Sequence, residues 1–171
     1  MIAALVEKQL AKSEREMGEN LDFVRDIYRA SPKAFLKFTR FIPFSRHRHA
    51  APAEAYFIAR IAAVQQEDCG PCVQTGVNQA LEAGVPRELI AAALAGDEAR
   101  LEPALAKVRR FAIAVARLDP AAEGLRLDLV AEYGQVAMVE IAIAIAAVRV
   151  FPTLKRGLGH AQSCALVTVR L

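Results

Sequence analysis

Apolar positions recur along this chain at spacings of three and four residues, and that period predicts helices from one end to the other. Ile2, Leu5, Val6 and Leu10 mark a first amphipathic helix that turns polar by Glu14 and ends near Gly18. Asn20 is placed to cap a second, with Leu21, Val24, Ile27 and Tyr28 on its apolar face. Ser31-Pro32 pairs a capping residue with a proline suited to the first turn, and opens a third helix through Phe35, Leu36, Phe38 and Phe41. Pro43 is expected to stop it. Pro52 restarts helix, with Phe57, Ile58, Ile61 and Val64 as its core face. Val73, Val77, Ala80, Leu81 and Gly84 give the next stripe, with Gly84 as its C-cap. Pro86 begins a short helix ending at Gly96, and Leu101, Leu105, Val108, Ala112 and Val115 a longer one halted by Asp119-Pro120. Gly134 divides a short helix, Leu125 to Tyr133, from the most apolar segment, Val136 to Phe151. Phe151-Pro152 should kink or end that segment. Val167 to Leu171 is too short a run to assign.

No strand or internal repeat emerges, so the expected fold is all-α, a single domain over 1–171 with its core at about 20–160. Composition agrees. Alanine is heavily used and aromatics make up only 6%, which suits close-packed helices better than a β-sandwich. The apolar run from Gln135 to Phe151 contains Glu140 and Arg149 and falls short of the roughly 20 uncharged residues a membrane span needs. A core or subunit-interface helix is the expectation there.

The net charge of +3 gives no field strong enough to imply nucleic acid or membrane as a partner. Three cysteines are too few for a disulfide-built secreted domain, and MIAALVEKQLAKSE has no basic segment ahead of an apolar one. A reducing, cytoplasmic setting is expected. In such a setting a CxxC is more often catalytic or metal-binding than structural.

The chemistry concentrates in Glu67-Asp68-Cys69-Gly70-Pro71-Cys72. Helical spacing follows it, which puts the pair at a helix N-terminus. There the backbone N–H groups and the helix dipole favour thiolate over thiol. CGPC is also the tetrapeptide of thioredoxins, but there it follows a buried strand. Here AYFIARIAAVQQ precedes it with helical spacing, so that fold is excluded while the redox chemistry is kept.

A helix running into CxxC, a helix behind it, a glycine and a further short helix resemble the AhpD-like group of the carboxymuconolactone decarboxylase superfamily. The resemblance spans roughly Asn20 to His160. It rests on NLDFVRDIYRASPKAFLKFTRF, QQEDCGPC, VNQALEAGVPRELIAAAL and the late apolar helix. It implies an all-helical fold assembling as trimers or hexamers. It also implies a Cys69/Cys72 pair that reduces hydroperoxides or disulfides without a bound cofactor or metal, re-reduced by a small thiol or dithiol protein. The family's fuller motif, C-x-x-C-x-x-x-H with a glutamate upstream, is not matched: the histidine position is Gly76 and the glutamate position Phe57. Either cysteine could attack. The more N-terminal Cys69 follows thioredoxin logic, whereas Cys72 follows the family.

Glu67 and His160 are the candidate replacement relay residues. A histidine beside a thiol stabilises the thiolate, whereas the adjacent carboxylates Glu67 and Asp68 act as proton acceptors only if one is desolvated. They also read as ordinary acidic residues at a helix N-terminus. Glu140, inside an apolar helix, calls for a partner such as an arginine or histidine, as a structural ion pair or a relocated relay carboxylate. The basic loop Arg46-His47-Arg48-His49 reads as a solvated connection or an anion contact. Three rivals stay open. A Cys₃His zinc site would use Cys69, Cys72, His160 and Cys164. A lactone decarboxylase would need a proton donor and acceptor pair. An oligomeric binding protein would carry its CxxC unused.

Overall fold

The computed structural model describes residues 2–17, 19–160 and 170–171. Cys164 lies outside the described residues, as do residues 167–169 of the unassigned end. Among those described, eight α-helices and one 3₁₀ turn follow one another, and no strand occurs. They are α1 (Ile2–Met17), α2 (Asp22–Ala30), α3 (Pro32–Ser45), α4 (Ala53–Gln65), α5 (Gly70–Glu82), α6 (Arg87–Ala95), α7 (Pro103–Arg117) and α8 (Ala122–Gly157).

α4 is the hub. It is alanine-rich and buried along nearly its whole length, Ala55 to Val64 except Phe57, and packs against α5, α6, α7 and α8. Small side chains let four neighbours approach one helix, and burial in place of amphipathic patterning supplies its stability. A main cluster of buried side chains runs through α4 to α8. A smaller one, Leu10, Leu21, Phe23 and Val24, is closed by Phe38 and by Phe151 of α8. Phe38 meets both Phe23 and Phe151 edge-on, with ring centroids 6.2 and 6.1 Å away.

Local signals account for most boundaries. Ser31 Oγ accepts the Ala34 N–H at 3.2 Å, as expected of a cap. Asn20 works one residue further out than a cap, since its Oδ1 accepts the Asp22 N–H and Leu21 is the capping residue. Gly84 and Gly96 take positive φ after α5 and α6.

The prolines depart from expectation. Pro43 does not stop α3, which runs on to Ser45; within the last turn a proline forfeits only one helical bond. Pro152 does not end α8 either, which continues to Gly157. Lys155 and Arg156 just beyond it are anchored by tertiary contacts, and these outweigh the lost bond. The interruption falls at Gly134, with φ 82° and ψ 164°, as the sequence predicts. α8 is long and apolar enough to cross a membrane by length and composition, and half of its most apolar stretch is buried within the chain.

Candidate functional site

The turn from α4 into α5 carries the cysteines. Asp68 holds a left-handed φ of 49°, tolerated by a short polar side chain, and turns the backbone so that Cys69 caps α5. Cys69 and Cys72 form a disulfide with their Cα atoms 5.2 Å apart. Both are buried, Cys69 at 1% and Cys72 at 6% exposure. The expected placement at a helix N-terminus holds.

α8 clamps this turn. Glu67 is buried, and its carboxylate takes hydrogen bonds from Arg149 Nε and Arg156 Nη2. Arg156 Nη1 also donates to the Glu67 carbonyl at 2.9 Å. Burial pushes the Glu67 carboxyl up, but the hydrogen bonds from Arg156 and Arg149 outweigh it and leave the group below the usual carboxylate range. A carboxylate held ionised between two guanidiniums is an anchor for the turn. It is not poised to exchange protons with a thiol.

The group on the sulfur is a lysine. Lys155 Nζ lies 3.8 Å from Cys72 Sγ, itself buried at 2% exposure. It also pairs with the Glu19 carboxylate and sits over the Phe23 ring, 5.3 Å from its centroid. Thr75 Oγ1 lies 2.8 Å from Glu19 Oε2 and 3.1 Å from the Pro71 carbonyl in the CxxC itself, and its one proton is shared between these two acceptors. Glu19, Lys155 and Cys72 thus form one connected polar chain inside an apolar seam.

Beside it lies a cavity of about 330 Å³ between the small N-terminal cluster and the main core. Cys72, and not Cys69, forms part of its wall, with Lys155, Glu19 and Gly76. Gly76 stands where the motif of the resembled group has histidine, and a Cβ there would meet Ile61 Cγ1 at 3.6 Å. Phe57, at the glutamate position, packs half-buried against Tyr56.

The other expected residues go elsewhere. His160 Nε2 meets Asp26 Oδ2 of α2 at 2.8 Å. Glu140 finds most of its partners in backbone, and the histidine of the expected kind is His47. Its carboxylate accepts the N–H groups of His49, Ala50 and Ala51 at 2.8–3.1 Å, and His47 Nε2 lies 3.8 Å from its Oε1. Burial pushes the Glu140 carboxyl up, and the three N–H bonds with the His47 charge more than reverse it, leaving a net depression. The basic loop is therefore a connection tied down by Glu140 at the start of α4.

Lys155, Glu19 and Thr75 were not legible in the sequence as site residues, since nothing distinguishes Lys155 from any surface cation. Arg60 left a signal: a lone charge inside the buried run FIARIAAV.

No family model, curated protein or solved structure matches the chain. What the fold and site define is an all-helical protein with a buried CxxC disulfide whose second sulfur, held by a lysine, borders an apolar cavity.

Proposed function

We propose that the chain is a thiol-dependent oxidoreductase of the AhpD-like kind, reducing hydroperoxides or disulfides through Cys69 and Cys72. The observation that carries this reading is Lys155 Nζ on Cys72 Sγ at the cavity wall. An ammonium beside the sulfur and the N-terminal dipole of α5 both stabilise a thiolate. They supply by another route what the histidine and glutamate of the family motif would. Cys72 is accordingly the attacking cysteine and Cys69 the resolving one.

With a hydroperoxide, the Cys72 thiolate attacks the distal oxygen and the O–O bond breaks. The alkoxide leaves with a proton drawn from Lys155, which solvent restores, and Cys72 becomes a sulfenic acid. The Cys69 thiol then displaces water from that sulfur and closes the disulfide. Two thiols are oxidised, and the hydroperoxide becomes an alcohol and water. A small thiol or dithiol protein of a reducing, cytoplasmic compartment returns the electrons by exchange.

Self-association belongs to the same proposal. On α8, Val136 and Val139 are 63% and 49% exposed, and Val150 and Leu158 extend the apolar surface along the helix. A second copy of the chain would cover that face.

The test is an anaerobic free-thiol count on reduced protein before and after one equivalent of cumene hydroperoxide, or of a small aromatic disulfide. Rapid loss of both CxxC thiols, abolished by Cys69→Ser or Cys72→Ser, is expected. Thiols that survive both oxidants would instead favour an oligomeric binding protein whose cysteines are not used.

A further inference from the structure

The cavity beside Cys72 contains a second buried cation that the redox chemistry does not use. Arg60 of α4 is 4% exposed and lines the same cavity as Cys72. Its Nη1 donates to the Ser45 carbonyl and lies 3.5 Å from Tyr56 Oη, but its Nε–H is buried with no hydrogen-bond partner. Among the described residues no carboxylate lies within ion-pair distance of it. A buried guanidinium satisfied only by neutral oxygens, with one donor orphaned, is costly to keep. A chain under no other demand would hold leucine or methionine at such a position in a buried helix.

One side of the wall is apolar, with Phe23, Phe38 and Phe151 beside Ile42 and Val148, while Arg46, Thr39 and Gln79 are among its polar residues. Lys155 is already paired with Glu19, and Arg46, also on the wall and close enough to act on Arg60, is exposed to solvent, so the buried cation without a carboxylate is Arg60. We propose that the cavity binds an amphipathic organic monoanion, its carboxylate on Arg60 and its hydrocarbon body along the phenylalanines. As a statement of substrate class this rests on the redox reading, and it makes the oxidised substrate an acid-bearing organic hydroperoxide or disulfide. A volume of about 330 Å³ suits a small amphiphile.

The binding claim is tested on the oxidised protein, where no thiol chemistry can occur. Decanoate, decan-1-ol and decyltrimethylammonium are titrated calorimetrically at constant ionic strength. Decanoate should bind at least about tenfold more tightly than decan-1-ol, the scale of one charge-assisted hydrogen bond, and the cation should not bind. Arg60→Gln should remove that preference, with Arg60→Lys retaining part of it. Alcohol and acid binding equally, or a decanoate preference lost on Lys155→Met but kept in Arg60→Gln, would overturn the proposal. If Arg60→Gln does not fold, the three probes on unaltered protein still test the anion preference, and a decanoate preference lost on Arg46→Gln or Lys155→Met but unchanged in Arg60→Lys would overturn its assignment to Arg60. Thiol loss to cumene hydroperoxide, which carries no acid group, reports on the redox reading separately. A decanoate result of either sign leaves that reading where the thiol count puts it.

Discussion

Lys155 does two jobs that pull in different directions, and each can be measured. Toward Cys72 it favours thiolate, so Lys155→Met should shift the pH profile of Cys72 alkylation toward the free-thiol value of about 8.5. Glu19→Gln should shift it the other way, because the neutral amide leaves the ammonium charge undivided. Toward the fold, Lys155 answers a mostly buried Glu19, and losing that charge-assisted bond should cost about 1.5–3 kcal/mol in chemical denaturation. The double variant should cost less than the two single ones summed, since no charge is then left alone. Acid stability is set at the same scale. Glu140 and Glu67 both have folded-state values below the unfolded one, so their stabilisation is complete above the unfolded carboxylate value of about 4.3. It is lost as pH falls through the depressed folded values. Glu140→Gln should therefore lower stability at neutral pH and flatten its decline in acid, as followed by thermal melts.

At the scale of elements, the breaks between helices are the most tightly specified features. Gly134 occupies a backbone region only glycine visits easily, so Gly134→Ala should destabilise the fold by about 1–3 kcal/mol. Leu118 closes α7 with φ 59° while its side chain is exposed, so Leu118→Gly should stabilise by about 1 kcal/mol. Both are read from urea midpoints. These elements show what the sequence could and could not reveal. Ser31, Gly84, Gly96 and Gly134 were legible because caps and breaks are local chemistry. Pro43 and Pro152 misled because whether a helix survives a proline depends on what holds the next turn. For α8 that is a pair of cations reaching Glu67 and Glu19, far away in sequence. The cysteines were legible for the same local reason, and their lysine was hidden for the same distant one.

At the scale of the whole molecule, the site is a seam. α8 lends Lys155 to the sulfur, Arg149 and Arg156 to the turn beneath it, and Phe151 to the cavity wall. The N-terminal helices close the other side with Leu10 and Phe23. Loosening that small cluster should expose Cys72 before the main core unfolds. Phe38→Ala, which removes the ring between Phe23 and Phe151, should speed alkylation of reduced protein at denaturant levels where circular dichroism is unchanged. The proposed self-association would use the exposed apolar positions of α8. On that proposal sedimentation gives a mass above that of one chain, and Val139→Lys should lower it without altering the helical signal; a single-chain mass for the unaltered protein would contradict it.

The central claim is that Cys72 attacks and Cys69 resolves, and one measurement reaches it directly. Reduced Cys69→Ser and Cys72→Ser proteins are each given one equivalent of cumene hydroperoxide with dimedone present, and the adduct is located by peptide mass. The account predicts a dimedone adduct on Cys72 of the Cys69→Ser protein, and none on Cys69 of the Cys72→Ser protein. An adduct on Cys69 instead, or none in either protein, would contradict it.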